Sequence, residues 1–239
     1  MVEKRRIRIF GAGVRGAVIA DLLRWHYADT YDIDGFYDDG KPQGSRSHFD
    51  FPVLGPVVRG LDEMPGSGVE AFLALGTYRS WRSCQVWAAL SKAGVQFPNL
   101  FAPSVRISPS AKLGTGGFFM DGAYVGAFAN VGHLFGAHAG AIVEHHATIG
   151  DNVLLGSAVA IAGGAGVASH CFIGTNCTIL PEVQIGRGTL VGAGSVVSRD
   201  LPGGIIATGS PAKRRRAVGA DDEVPHGASL SEVEGLFAC

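Results

Sequence analysis

From Ile107 onward, every sixth residue is apolar without a break: Ile107, Leu113, Phe119, Val125, Val131, Ala137, Val143, Ile149, Leu155, Ile161, Val167, Ile173, Ile179, Ile185, Val191 and Val197. A second set four residues further on is mostly small and includes Ala111, Gly117, Ala123, Ala129, Ala141, Ala147, Val153, Ala165, Cys171, Cys177 and Ser195. Helices repeat about every 3.6 residues and strands every 2, so neither gives a period of six. A parallel β-helix does: each hexapeptide forms one flat side of a triangular prism, and three of them make a coil of about 18 residues. The large residue of each repeat is expected to point inward, and the small one to fill the corner.

The chain carries 36 glycines, most of them after residue 110, where they relax the turns between the flat sides. The sixteen repeats give roughly five coils. Their flat sides are rather apolar for a solvent-facing surface, which leads to the expectation of three prisms packed side by side as a homotrimer. The period stops at SRDLPGGIIATGSPAKRRR, where Pro202 and Pro211 interrupt it. A short tail follows from about residue 217.

The region before the repeats has another rhythm. RIRIF (6–10) alternates like a strand, GAGVRG turns, and AVIADLLRWHY (17–27) has helical spacing of its apolar residues. Further strands are expected at IDGFYDD (33–39), FPVL (51–54) and VEAFLALG (69–76), and a helix at 79–94 closed by Gly94. Strands alternating with helices imply a parallel sheet. Gly11, Gly13 and Gly16 stand between a strand and a helix, where a glycine loop can cradle phosphate. Asp38 and Asp39 end the second strand, within reach of a ribose or base. Gly76 and Thr77 end a neighbouring strand, and Arg82 follows as a candidate phosphate ligand. About a hundred residues suit a mononucleotide sugar better than a dinucleotide.

Composition narrows the class. The 239 residues are 46% hydrophobic and 17% charged with net charge −1, which excludes a disordered chain and a global basic field for nucleic acid or an anionic membrane. Cys84, Cys171, Cys177 and Cys239 show no paired spacing, so reduced thiols and a cytoplasmic location are expected. The basic N-terminus lacks the apolar run of a signal peptide, and no stretch has the roughly 18 apolar residues of a membrane helix.

The glycine-opened α/β unit, the hexapeptide prism, the segment GAIVEHHATIGDNV and the ending ATGSPAKRRR together resemble the bacterial sugar acetyltransferases of the sialic acid, bacillosamine and perosamine type. The resemblance covers about residues 5–216. It implies a Rossmann-like nucleotide-sugar-binding domain over 1–101, a left-handed parallel β-helix acyltransferase domain over 102–216, and a C-terminal tail over 217–239. It further implies a trimer that uses acetyl-CoA as co-substrate, with no metal, to acylate an amino or hydroxyl group of a sugar. N-acetylation of a nucleotide-linked (UDP, GDP or dTDP) 4-amino-4,6-dideoxy sugar is the leading reading, and O-acetylation of a sialic-acid-like sugar is the alternative.

In that family the histidine after the glutamate of this segment is the general base, which places the role on His145. A neutral imidazole titrates where such a base must. One coil beyond His145 lies Gly163, whose unobstructed N–H is a candidate donor to a developing oxyanion. The resemblance puts the pantetheine of the coenzyme near Ala162, Gly163 and Gly164, and its phosphates near Lys213 and Arg214.

This chain departs from the family at three places, one of which is a second histidine common in the next hexapeptide that falls near Leu154 here. Where a carboxylate usually follows the base, it has His146, a change expected to lower the base strength of His145 or to pass the partner role to Glu144 or another subunit. The glycine loop carries Arg15 where the family often has histidine, and an arginine can pair with a diphosphate. Two readings from other classes stand beside the enzyme: a non-catalytic prism-fold binding protein, and a zinc hydratase like the prism-fold carbonic anhydrases. The second rests on the spacing of His133 and His138, but no histidine lies between His48 and His133 to supply the upstream ligand.

Overall fold

The computed structural model describes residues 3–75 and 81–219. Its first part is a parallel four-stranded sheet in the order β3-β2-β1-β4, formed by β1 (Arg5–Phe10), β2 (Tyr31–Tyr37), β3 (Val53–Gly55) and β4 (Glu70–Leu73). Helices α1 (Val14–His26), α2 (Val57–Glu63) and α3 (Trp81–Lys92) connect and cover it. Ile7 and Ile9 of β1 are fully buried, while Arg6 and Arg8 on the other face pair with Asp34 of β2. The alternation in RIRIF is therefore that of a half-buried strand. Helix α2 lies in a stretch to which the sequence reading assigns no element, bracketed by Pro56 and Pro65 with a glycine in the middle. That glycine serves packing, since a Cβ on Gly60 would come within 2.5 Å of the Phe10 ring.

The second part is the left-handed β-helix, built of two-residue strands whose partners lie 18 residues apart, as in Val125↔Val143 and Val143↔Ile161. The residues of the six-residue series point inward from Phe119 to Val197, and all are at most 2% exposed. The small set fills the corners, with Ala147, Ala165, Cys171, Cys177 and Ser195 at 0% exposure. Each inward aliphatic residue contributes roughly 1.5–3 kcal/mol of burial, so the prism is one continuous apolar column. The first rung is Leu100–Phe101, which pairs with Phe118–Phe119, one repeat before Ile107. At the far end the spacing shortens: Leu201 bridges Ile185, Ile205–Thr208 pairs with Leu190–Val191, and the antiparallel strand Lys213–Ala217 closes the sheet.

From residue 116 to residue 194, every sixth residue lies in a turn between rungs and takes positive φ. Glycine takes that position at 116, 122, 140, 164, 188 and 194, while Phe128, Leu134, His146, Asn152, Ala158, His170, Asn176 and Glu182 take it with a side chain. The glycine excess thus has a backbone cause, because residues with a Cβ are strained there by roughly 1–2 kcal/mol.

The α/β unit sits on one face of the prism. Ile19, Leu22 and Leu23 of α1 share a buried cluster with Leu100, Phe118 and Leu154 of the eight-stranded face. The Tyr27 hydroxyl, at the end of α1, accepts from the Phe101 N–H at 2.7 Å. Along one edge of that face Trp81 and Trp87 of α3 pack against His170 and His133, with ring centroids 4.0 and 4.5 Å apart. Among the described residues, no helix is long and apolar enough to cross a membrane.

Candidate active site

Glu144, His145 and His146 lie between the rungs Ile142–Val143 and Thr148–Ile149, which belong to the six-stranded and the five-stranded faces. They form the edge opposite the face that carries the α/β unit. The backbone at this edge is tightly stacked: a Cβ on Gly126 would come 2.7 Å from the His145 nitrogen, and Gly164 N–H donates to the His145 carbonyl at 3.0 Å. The His145 imidazole lies over Gly163, where a Cβ would meet its Cε1 at 2.5 Å and its Nε2 at 2.7 Å. The Gly163 N–H has no hydrogen-bond partner among the described residues, whereas its carbonyl accepts from Glu182 N–H.

His146 sits at φ 59°, in the left-handed position of the turn. Its Nδ1 is 3.2 Å from Nδ1 of His145, and its ring packs at 5.1 Å against Phe128, one coil earlier. Phe128 is itself 63% exposed, so this aromatic contact lies on the open edge. The Glu144 side chain makes no hydrogen bond or ion pair among the described residues. Glu144, the partner expected for His145 within the chain, makes no hydrogen bond to it, and the group the structure brings to His145 is instead His146. Gly163 adjoins the imidazole as bare backbone, with Ala162 and Gly164 next to it in sequence.

Lys213 and Arg214 are elsewhere. They are exposed on the last strand of the eight-stranded face, away from the His145 edge of the same chain.

The glycine loop is built as a tight strand-to-helix turn. A Cβ on Gly11 would meet the Ala74 carbonyl oxygen at 2.6 Å, and one on Gly16 would collide with the Gly11 carbonyl oxygen, while Gly13 faces open space. Asp38 accepts from Ala12 N–H at 2.7 Å through Oδ2 and from Gly40 N–H through Oδ1, so it braces this loop. Asp39 accepts from Val57 N–H at the start of α2 and pairs with Arg82. Both carboxylates and Arg82 therefore hold the loop and helices in place. Arg15 faces the prism and lines a crevice with Leu73, Ser83, Phe118 and Leu154. Gly76 and Thr77 lie outside the described residues.

The two histidines with metal-like spacing are used in packing. His133 Nδ1 accepts from Thr115 N–H at 3.0 Å, and His133 N–H donates to Asp151 Oδ1 at 2.7 Å. His138 lies edge-on to Phe118 at 5.4 Å; its partial burial, and then the charge of Arg15, hold its pKa below the usual imidazole value. No group of three or more potential metal ligands occurs among the described residues.

Over 90% of its length the chain superposes on the crystal structure of PerB from Caulobacter crescentus in complex with CoA and GDP-perosamine, covering 98% of that chain with 30% identity and a TM-score of 0.78. The chain belongs to the bacterial hexapeptide transferases. Residues 164–199 of this hexapeptide transferase match the family model described as bacterial transferase hexapeptide (six repeats). It is also similar to the acetyltransferase domain of PglB from Neisseria gonorrhoeae in complex with acetyl coenzyme A, at 28% identity and a TM-score of 0.79, over 89% of this chain and 100% of that one. Serine acetyltransferase 4 of Arabidopsis thaliana is 30% identical over 156 residues, which is 61% of this chain and 39% of that relative. The chain spans about a quarter to two fifths of the length of the curated relatives it matches.

Sequence reasoning did not single out Phe128, although the 18-residue period places it directly beneath His146. Nor did it single out Asp151, which at 2.7 Å caps His133 N–H from the next coil. Both could have been found by reading down the turn positions as well as along the inward ones.

Proposed function

We propose that this hexapeptide transferase transfers the acyl group of acetyl-CoA to the amine of a nucleotide-linked 4-amino-4,6-dideoxy sugar, with His145 as general base. The observation that carries the reading is the placement of the His145 imidazole over Gly163. That arrangement puts a proton acceptor and an unpartnered backbone donor side by side on an exposed edge. In this reading His145 Nε2 removes a proton from the amine as its nitrogen attacks the thioester carbonyl. Gly163 N–H donates to the oxygen on which negative charge develops. The imidazolium then returns the proton to the departing thiolate. The bare backbone of Gly163 and Gly164 fits the close approach of a thioester arm.

The nature of the acceptor is supported by the relatives. PerB was crystallised with CoA and GDP-perosamine, and a histidine-to-asparagine variant of perosamine N-acetyltransferase with the same two ligands. The PglB domain holds acetyl coenzyme A. These complexes favour an amine over the hydroxyl of a sialic-acid-like sugar. On this reading the nucleotide end of the acceptor lies at the glycine loop with Arg15 near its diphosphate.

The position of His145 bears on assembly. Its edge is opposite the face that carries the glycine loop, so one chain cannot present a sugar held at its own loop to its own His145. A closed ring of three prisms would bring the His145 edge of one copy against the α/β unit of the next. It would also bring Lys213 and Arg214 of one copy toward coenzyme bound beside another.

The test is direct. The protein is incubated with acetyl-CoA and, in turn, GDP-perosamine and UDP- and dTDP-linked 4-amino sugars, and thiol release and product mass are followed. Release of CoA matched by a product heavier by one acetyl group supports the reading. Binding of both ligands without turnover would favour a non-catalytic binding protein.

A further inference from the structure

The His145–His146 contact carries an inference that rests on the reading of His145 as the base. We propose that His146 is a positioning residue that fixes the tautomer of His145, and that a single proton on the pair switches the base off.

The two Nδ1 atoms face each other at 3.2 Å. Two neutral imidazoles satisfy that contact only when one of them carries its proton on Nδ1 and the other presents a lone pair there. When His145 Nδ1–H donates to His146 Nδ1, the Nε2 of His145, the atom over Gly163, keeps its lone pair and can accept a proton. His146 then carries its own proton on Nε2. It performs the orienting task of a carboxylate behind a catalytic histidine. It does so as a neutral group.

An imidazole partner has a consequence that a carboxylate lacks, because the Nδ1 that accepts from His145 becomes a donor once it is itself protonated. A proton added to His146 makes its Nδ1 a donor, which His145 Nδ1 must accept, so the remaining proton of His145 moves to Nε2. A proton added to His145 occupies both of its nitrogens. Either way one proton removes the lone pair over Gly163. The charge balance is that of one bound proton in each case.

The surroundings leave this exchange to the two rings. The coil before them presents Ala127 and Phe128, the latter tilted against His146 with ring centroids 5.1 Å apart, and the coil after them presents Gly163 and Gly164. The charged groups near the edge are Glu144, which contacts neither ring by hydrogen bond, and Glu182, whose stem would lie 3.4 Å from a Cβ on Gly164. His146 also holds a left-handed turn position at φ 59° that glycine fills in six other turns.

The test uses the intact protein labelled with ¹⁵N-histidine, with His145 and His146 signals assigned from single variants. At pH 8 the unprotonated nitrogen of His145 is expected to be Nε2, and on acidification both rings are expected to respond in one shared step. In turnover with acetyl-CoA and GDP-perosamine, His146→Phe is expected to lower kcat on the order of 10- to 100-fold, less than the ~10⁴-fold cost of a fully wrong tautomer. The KM for acetyl-CoA should stay within about threefold. His146→Asn, whose amide oxygen accepts the same hydrogen bond but takes no proton, should recover part of kcat and move the acid limb of the pH profile to lower pH. A wild-type His145 protonated on Nε2 at pH 8, or a His146→Phe variant with wild-type kcat and pH profile, overturns the proposal. If instead His145→Ala is fully active, the assignment of the base itself fails, and the proposal with it.

Discussion

The imidazole of His145 occupies the space that a side chain on Gly163 would need, since a Cβ there would come 2.5 Å from its Cε1. Gly163→Ala is therefore expected to push the ring off its station with little effect on the fold, because the exposed ring can swing away. Displacement of a catalytic group by about 1 Å can cost about 100-fold in rate. Turnover should fall by at least about tenfold while the melting temperature shifts by no more than a few degrees. Parallel kinetics and thermal melts check both halves of this expectation.

The brace on the glycine loop can be probed separately. Asp38 accepts from Ala12 N–H at 2.7 Å, and Asp38→Ala leaves that donor without its partner. A stability loss of about 1 kcal/mol is expected. If the loop binds the nucleotide end of the acceptor, the KM for the nucleotide sugar should rise while kcat and the KM for acetyl-CoA remain near wild type. An unchanged KM for the sugar would move its site away from this loop.

The opposite placement of the His145 edge and the α/β unit makes a prediction about mixed assemblies. His145→Ala and Arg15→Glu are each expected to be nearly inactive alone. Co-expressed in equal amounts, they should form mixed trimers in which about a quarter of the sites combine an intact His145 with an intact Arg15 from different copies. Recovered activity in the mixture, measured against the two pure variants, checks this. A mixture no more active than its parts would place both residues in one chain's site.

Stability should depend on pH through His138. Burial and the nearby Arg15 hold its folded-state pKa below the unfolded value, so the unfolded chain binds the extra proton first. The stability tied to its neutral form is present above the unfolded pKa of about 6.5 and is lost as pH falls toward the folded value. His138→Gln should flatten the decline in melting temperature between about pH 7 and 5.5 compared with the wild type.

Much of this architecture was legible because a period of six admits few alternatives, and Val143, Ile149 and Ala147 take the inward and corner positions the repeat assigns them. The adjacency of His145 and Gly163 followed from the same count, since 18 residues make one coil. Other features depend on contacts between distant segments. Helix α2 is hidden because Gly60, chosen for its fit against Phe10, reads as a breaker in one dimension. The placement of the α/β unit opposite the His145 edge depends on which face Leu23 and Phe118 share, which no local pattern encodes. Asp38 and Asp39 carry residue types that suit a ligand, and only the folded chain reveals their hydrogen bonds to Ala12 and Val57.

The central claim is that His145 activates an amine for attack on an acetyl thioester. Its most direct test compares the wild type with His145→Ala for acetyl-CoA-dependent acetylation of GDP-perosamine and its UDP- and dTDP-linked counterparts, read by CoA release and product mass. The account predicts one acetyl group transferred per CoA released, and a loss of about two to four orders of magnitude in turnover for the variant with its assembly intact. Wild-type turnover by His145→Ala, or no acetylated product from any amino sugar offered to the wild type, would contradict it.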